Sequence, residues 1–450
     1  MQLMTHRKLK RFVGIGLGPI CVCLFFLGVD RGAAQGNTNS PVAPLDHSPL
    51  SLAAAQRLAF QRNWDLLAAA AGVNAAVAQR IVAREFPNPT LSASTSKIKA
   101  DSQPASTSDG NGLWDRSYDT ILAINQLFEI GGKRSSRRAS AQAGFEGARA
   151  QFFDARRTLD LAVTKAYAAA VFAEENVRVL NASAATLRNE AQIADIRMKA
   201  GEISTSDQSQ IEITAERFEL DASTAESSAA QARVALEVLL GVARPKGDIA
   251  LSDRLEDLSA APPPPTANPT GFGRPDVLAA EATVRKAEAD LRLQKANRIP
   301  DPTLLAQYEH EPPDGRNTVG IGLSFPVPIW NRNKGNVLAA EAAREQARLA
   351  FEKIQTQAAA DIATARFAYE DASKRWETYR DHIRPKSEEI RKTLAYAYEK
   401  GGASLLDLLV AQRNDNEIRL AAAQAANDTA LAIAALKAAT QIIEPSEIKK

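Results

Sequence analysis

Two long stretches of the chain repeat apolar residues with the heptad spacing of a coiled coil. Across 134–199, two interleaved seven-residue series contain only apolar residues, and alanine fills half of their positions. Across 336–400, small residues such as Ala358 alternate with large ones such as Trp376. Small layers that face large ones favour close knobs-into-holes packing. We therefore predict two helices of about 100 Å, at 1.5 Å per residue, each packed along its length.

Four shorter segments alternate apolar with polar residues, as half-exposed β-strands do. These segments are 89–98, 118–128, 303–310 and 318–327. In the last one, Val319, Ile321 and Leu323 share a face, while glycine, serine and threonine occupy the other. About ten alternating residues let a tilted strand cross a bilayer, with one face toward lipid and one toward a lumen. A soluble β-hairpin cap is the alternative explanation of this pattern.

Aromatic residues lie near both ends of these predicted strands. Phe86, Phe128 and Trp330 lie on the helix side, and Trp114 and Tyr118 lie on the loop side. Aromatic girdles of this kind are typical of membrane interfaces. We therefore predict that the strands span a membrane and that these five residues lie at its two interfaces.

Four strands cannot close a membrane barrel, which needs at least about eight. Open strand edges within lipid would leave backbone N–H and C=O groups without partners. Three copies of the chain would supply twelve strands and a tube of twelve helices. We therefore predict that several copies share one barrel.

The order of these elements occurs twice along the chain. The segment Phe86–Leu91 recurs as Ile299–Leu304 with both of its prolines, and the turn at 201–207 recurs at 401–407. The two halves join through a run of four prolines, which cannot be helical. The sequence therefore predicts a duplicated unit that contains a medium helix, a strand pair and a long helical hairpin.

These marks set the predicted boundaries. The first repeat covers 50–245, a proline-rich linker covers 246–275, and the second repeat covers 276–440. The predicted helices are the medium helices at 52–84 and 276–298, the long helices at 134–199 and 336–400, and the return helices at 205–240 and 405–440. A flexible segment at 35–49 precedes the repeats, and a C-terminal tail at 441–450 follows them.

The first 34 residues have the pattern of a secretory signal peptide. Basic residues up to Arg11 precede an apolar run to Val29, and a group of small residues ends at Ala34. This order predicts export and cleavage near Ala34, with a retained membrane helix as the alternative. Both cysteines, Cys21 and Cys23, lie in this segment. Neither follows the residue order that is needed for attachment of a lipid to cysteine. The mature chain would contain no cysteine, which excludes disulfides and thiolate-bound zinc.

Charge and candidate chemistry argue against an enzyme and against a nucleic-acid partner. The chain has 55 basic and 53 acidic residues, a net charge of +2, which gives no footprint for DNA or RNA. The histidines beyond the leader, His47, His310 and His382, are far apart, and no metal-ligand motif is present. We therefore predict no catalytic residue, no resident metal and no cofactor.

From about Leu50 to Thr440, the sequence resembles the TolC-like outer-membrane efflux factors. The proline-bounded strand entries and the two Gly-x-x-Ser-x-x-Asp turns carry this likeness, and Leu127–Arg134 is similar to the CzcC-like branch of heavy-metal resistance. The resemblance implies a mainly α fold with a membrane β part, in which a homotrimer forms a 12-stranded outer-membrane β-barrel continued by a periplasmic α-helical barrel. It also implies two partners, a periplasmic membrane-fusion adaptor and an inner-membrane pump of the resistance–nodulation–division (RND) type.

The resemblance further implies roles for the tips of the two helical hairpins. The residues that would contact the adaptor are Gly201, Ser204, Asp207, Gly401 and Ser404.

Asp407, six residues after the second tip glycine, would face the axis at the periplasmic aperture by the same resemblance. The family's second ring position is Val410 here, which implies a weaker constriction. Arg413 is placed to relieve repulsion between three copies of Asp407. A simple cap for the following helix is the alternative role of Asp407.

We therefore expect the outer-membrane channel of a tripartite efflux system, which conducts heavy-metal cations passively. Its location would be the outer membrane of a Gram-negative bacterium, with most of the chain in the periplasm. A channel for drugs or other organic solutes is the first alternative. A periplasmic adaptor or a structural coiled-coil protein fits less well, because an adaptor has one helical hairpin and a coiled coil needs no spanning strands.

Overall fold

Both halves of the chain form the same series of elements in the computed structural model, which describes residues 49–96, 119–262, 271–311 and 316–449. The first half contains α1 (Leu52–Arg62), α2 (Trp64–Val82), β1 (Thr90–Ser96), β2 (Asp119–Leu127), α3 (Lys133–Lys199) and α4 (Thr205–Leu239). After α5 (Leu255–Ser259), the second half contains α6 (Pro275–Ala296), β3 (Thr303–Glu311), β4 (Arg316–Ser324), α7 (Lys334–Thr378), α8 (Arg384–Glu399) and α9 (Leu405–Thr440). The predicted duplication is confirmed, whereas the predicted signal peptide at 1–34 lies outside the described residues.

The four strands form one antiparallel sheet in the order β1-β2-β3-β4. The β2–β3 pair joins the two repeats, with Leu122 opposite Tyr308, and Tyr308 is in turn opposite Val319 of β4. Because side chains alternate along a strand, these apolar residues share one face of the sheet. On that face Val319 and Ile321 are 80% and 81% exposed, as expected for side chains that face lipid.

The last strand ends earlier than the alternation predicts. The expected segment was 318–327, but β4 covers Arg316–Ser324. Pro326 and Pro328 follow it, and proline has no N–H to donate to a neighbouring strand. The apolar alternation continues through these prolines, although the ladder of hydrogen bonds does not.

The medium helix expected at 52–84 is two helices, α1 and α2, with a break at Asn63. Asn63 has extended backbone angles, and its side-chain oxygen accepts hydrogen bonds from the N–H groups of Asp65 and Leu66 at 3.0 and 3.2 Å. Its side-chain amide donates to the carbonyl of Leu239 at the end of α4, at 3.1 Å. Asparagine is a strong N-cap residue, so this bond to another element favours the break over a continuous helix.

The second long helix also departs from a regular α-helix. A π-helical turn at Tyr379–Ile383 lies between α7 and α8. Pro385 lies two residues after it and has no N–H for the usual bond to the fourth residue before it. A local π-bulge accommodates this loss without ending the helix.

The heptad residues of α3 form the seam of the first helical hairpin. None of the twelve positions predicted for that seam is exposed. Near the tip, Leu187, Ala191 and Ala194 of α3 pack in one cluster with Ile211 and Ala215 of α4. Alanine at these positions lets the two helix backbones approach closely.

The C-terminal tail expected at 441–450 contains a short helix, α10 (Pro445–Lys449). Ile448 of this helix is buried against Ala150 of α3 and Leu278 of α6. The tail therefore packs onto both repeats.

A buried ion pair joins the two repeats where the strands meet the helices. The ammonium of Lys133 lies 2.7 Å from a carboxylate oxygen of Asp301 and donates to the carbonyl of Ile299 at 2.7 Å. The other carboxylate oxygen of Asp301 accepts the N–H of Ile130 at 2.9 Å. The side chain of Lys133 is 9% exposed and that of Asp301 is 18% exposed, so water screens this pair only weakly.

We expect Asp301→Ala to lower the free energy of unfolding by about 3 kcal/mol, because the buried ammonium of Lys133 loses its carboxylate. Urea unfolding of the purified protein in detergent, at one protein concentration, measures this change. Asp195→Ala is the matched control, since its partner Lys199 is 70% exposed and the pair contributes about 1 kcal/mol or less. Equal losses in the two variants would contradict a structural role for the buried pair.

Candidate functional site at the hairpin tips and the membrane junction

Both helical hairpins turn through the same glycine motif. Gly201 and Gly401 have φ angles of +80° and +77°, a left-handed conformation that favours glycine. The N–H of Glu202 donates to the carbonyl of Arg197 at 2.9 Å, and the N–H of Gly402 donates to that of Ala397 at 2.8 Å. These bonds satisfy the last carbonyls of each long helix. No heavy atom lies within 4 Å of the position that a Cβ would take at either tip glycine, so both tips are open.

The returning helices start with serine caps, as the two Gly-x-x-Ser-x-x-Asp turns predict. The hydroxyl oxygen of Ser204 accepts the N–H of Asp207 at 3.1 Å. Ser404 makes the corresponding bond with Asp407 at 3.2 Å. The second tip adds a return bond, because the Asp407 carboxylate accepts the backbone N–H and the hydroxyl of Ser404 at 3.2 and 2.7 Å. The second tip therefore has a full capping box.

These bonds lower the pKa of Asp407 below its usual value. The hydroxyl of Ser404 is the largest cause, and the backbone N–H of Ser404 is the second. A lowered pKa favours the charged carboxylate, so the cap is stabilising at neutral pH and loses that contribution only as the pH falls below about 4. The structure thus gives Asp407 a capping role within a single chain.

Arg413, which we expected near Asp407, pairs with another residue within the chain. Its guanidinium lies 2.7 Å from the carboxylate of Glu417, one turn further along α9, and both side chains are exposed. An i,i+4 pair within the helix is closer than the residue six positions back.

The two tips are tied together by side chains that sequence reasoning did not identify. Arg197 of the first tip donates to the carbonyl of Glu399 in the second at 3.3 Å, and its guanidinium lies 5.5 Å from the ring centre of Tyr398. Leu405 and Leu409 of α9 pack against the α3–α4 cluster. The two hairpins therefore meet side by side at their tips.

A buried ionic cluster lies behind the tips, and Asp415 is its centre. Asp415 is 3% exposed, lies 3.0 Å from Arg391 and 2.8 Å from Arg419, and accepts the hydroxyl of Ser387 at 3.0 Å. Burial raises the pKa of nearby Glu190, although the charge of Arg391 opposes that effect. The i,i+4 spacing of Asp415 and Arg419 is visible in the sequence, but the contribution of α8 depends on the hairpin register.

At the other end of the helices, aromatic residues lie exposed beside the strands. Phe86, Phe128 and Trp330 are 69%, 50% and 94% exposed, which suits contact with a membrane interface. Trp114 and Tyr118, expected at the opposite interface, lie outside the described residues.

The segment Leu127–Arg134 builds this junction and does not present metal ligands. Gly131 and Gly132 have positive φ angles and turn the chain from β2 into α3. Arg134 stacks over the ring of Phe86 at 3.8 Å and also donates to the carbonyl of Arg84. Within the described parts of the chain, no three His, Cys, Asp or Glu side chains are grouped so that they could hold a metal ion.

Among the described helices, only α2 is long and apolar enough to cross a membrane by length and composition. An 18-residue stretch of this helix has a mean hydropathy of 1.2, and only 6% of that stretch is buried.

Two helical hairpins continue from a sheet with one apolar, exposed face, which is the pattern of strands in an outer-membrane β-barrel. The sequence profile described as Outer membrane efflux protein matches residues 56–242 and 273–440, which include both repeats. The chain belongs to this family, and it is the outer-membrane channel component of an efflux system.

Curated relatives and solved structures agree with this assignment. The cobalt-zinc-cadmium resistance protein CzcC of Cupriavidus metallidurans is 28% identical, over 89% of this chain and 93% of its own length. The nickel-cobalt-cadmium resistance protein NccC of Alcaligenes xylosoxydans is 26% identical, over 82% of this chain and 78% of its own. A membrane protein crystal structure from Pseudomonas aeruginosa has the same fold, with a TM-score of 0.73, 22% identity and coverage of 87% and 92%.

Proposed function

We propose that this channel exports heavy-metal cations as part of an RND-type system, together with a periplasmic adaptor and an inner-membrane pump. The observation that carries the proposal is the family match over both repeats, joined with two relatives named for metal resistance that align along most of the chain. Cations would pass hydrated along the duct, and the pump would select them; within the described residues no group of ligands is arranged to hold a metal ion.

A trimer would complete the membrane part of the channel. The β1 and β4 edges of the sheet have no strand beside them within the described chain, and three sheets would close into a barrel of twelve strands. The low burial of the apolar α2 supports the same arrangement, because a neighbouring copy would cover its exposed side chains.

The hairpin tips would meet the adaptor, and Asp407 would face the axis at the periplasmic aperture. Open space around Gly201 and Gly401 supports the first role, since a partner helix could approach either backbone turn. Three copies of Asp407 would place three carboxylates around the aperture. The capping bonds from Ser404 hold each carboxylate charged, which favours cations over anions at that point.

We expect deletion of the gene to sensitise its host to some of the Co, Zn, Cd and Ni salts, and we expect the wild-type gene to restore tolerance. A panel of drugs serves as the comparison in the same growth assay. Sensitivity to the drugs alone would replace the metal assignment with export of organic solutes, while leaving the channel itself intact.

In the same complementation assay, Gly401→Val tests docking at the second tip. The left-handed backbone penalises valine by about 1 kcal/mol, and its side chain would project into the space left for a partner. We expect loss of metal tolerance and of crosslinking to the adaptor, with trimers still present. Gly201→Val is the matched variant at the first tip. Unchanged adaptor crosslinking in both variants would contradict docking at the tips.

We expect Asp407→Asn to reduce the cation selectivity of single channels formed by the purified protein. Asp207→Asn, at the equivalent position of the first tip, should leave selectivity unchanged. Because the capping bonds lower the pKa of Asp407 within each chain, the wild-type selectivity should be present at neutral pH and be lost as acid protonates the carboxylate. If Asp407→Asn conducts like the wild type at every pH, the carboxylate is a helix cap only.

A further inference from the structure

A basic pocket lies between α2 and α3, close to the base of the sheet. Its volume is about 320 Å³, and its lining residues are Arg80, Arg84, Ser135, Arg138, Ala139 and Gln142. Three of these six side chains are guanidinium groups, and none is a carboxylate. The pocket therefore concentrates positive charge in a concave site.

The charges in this pocket are not neutralised by neighbouring carboxylates of the described chain. The guanidinium of Arg80 lies over the ring of Phe145 at 4.6 Å, and among the described residues no carboxylate forms a salt bridge with Arg84 or Arg138. Of the acidic groups nearby, Glu129 binds Arg137 through both oxygens, while Glu146 binds Arg285 and accepts the side-chain amide of the lining residue Gln142. The lining arginines thus retain donors for an external anion.

The position of the pocket suggests which anion reaches it. Arg84 lies between the end of α2 and the start of β1, and Arg138 lies little more than a turn inside α3. The exposed aromatic residues Phe86 and Phe128 lie at the same junction between helices and strands. Aromatic belts mark the level of lipid headgroups, and basic pockets of other membrane proteins bind headgroup phosphates.

We propose that this pocket binds phosphate. The phosphate would belong to a phospholipid headgroup of the periplasmic leaflet or would be free inorganic phosphate. The planar guanidinium groups of Arg84 and Arg138 would each present paired N–H donors to phosphate oxygens. Arg80, held over Phe145, would add a third charge four residues before Arg84. The site goes beyond conduction through the duct and would fix the depth of each protomer in the bilayer.

Lipid titrations followed by native mass spectrometry of the purified full-length protein test the proposal. The probes are dioleoylphosphatidylglycerol, dioleoylglycerol with the same acyl chains but no phosphate, and inorganic phosphate. We expect the Arg84→Gln/Arg138→Gln double variant to bind phosphatidylglycerol about tenfold more weakly than the wild type. Arg84→Lys/Arg138→Lys should retain part of the affinity, because the charges remain.

The matched control is Arg292→Gln/Arg298→Gln. Both residues are exposed, Arg292 in the last turns of α6 and Arg298 two residues beyond it, and among the described residues no carboxylate forms a salt bridge with either, so the same charge is removed outside the pocket. Its affinity should stay within about twofold of the wild type, well inside the effect expected for the pocket.

The results distinguish three cases: binding of a headgroup phosphate, binding of free phosphate, and no phosphate site in the pocket. Phosphatidylglycerol binding that depends on the two arginines assigns the headgroup, whereas arginine-dependent binding of inorganic phosphate alone assigns free phosphate. The inorganic arm requires no membrane, so it is independent of the proposed cargo and partners. Equal binding of both probes by the wild type and the double variant would overturn the site. Loss of trimers in the double variant with unchanged lipid binding would also overturn it, because the arginines would then pair with a neighbouring copy.

Discussion

Backbone groups at the edges of the sheet impose the main constraint on this protein. Within lipid, an N–H or C=O group without a partner costs several kcal/mol, and a four-stranded sheet has two such edges. The apolar face that includes Val319 and Ile321 favours lipid, yet the edges forbid a single sheet there. Association of copies would satisfy both demands, and the opposite face of the sheet would then line a lumen. The edge strands β1 and β4 therefore favour a channel shared between copies, because their backbone N–H and C=O groups need partners.

The long helices connect the strands to the hairpin tips, which lie far from the membrane in the periplasm. The 67 residues of α3 would extend about 100 Å, so the tip turns lie far from the strands. Lys133 and Asp301 join the repeats at one end, and Arg197 joins the tips at the other. These contacts at both ends, and the alanine-rich seam between them, connect the strands to the tips through packed helices. A partner that binds the tips therefore acts on a body anchored in the membrane.

Periodicity in the sequence predicted the duplicated fold, because heptads, strand alternation and the glycine turns are local patterns. It could not predict features that depend on contacts between distant elements. The break at Asn63 depends on a carbonyl at the end of α4, and the cluster around Asp415 depends on the register of α8 against α9. Likewise, Arg84 and Arg138 are ordinary surface residues until α2 and α3 are placed side by side. By contrast, the capping bonds between Ser404 and Asp407 are local, and the spacing in the sequence already offered a cap as one role of Asp407.

Disulfide crosslinking between the two sheet edges tests the shared barrel most directly. Cysteine at Ser94 of β1 is combined in turn with cysteine at Thr318, Gly320 or Gly322 of β4, and membranes are oxidised before denaturing electrophoresis. We expect a ladder of bands that ends at a covalent trimer for the pair in closest register. Cysteines at Ala123 and Gln307, which are opposite each other on β2 and β3, should crosslink only within one chain. Monomers alone from every edge pair, with the control bond formed, would contradict a barrel shared between copies.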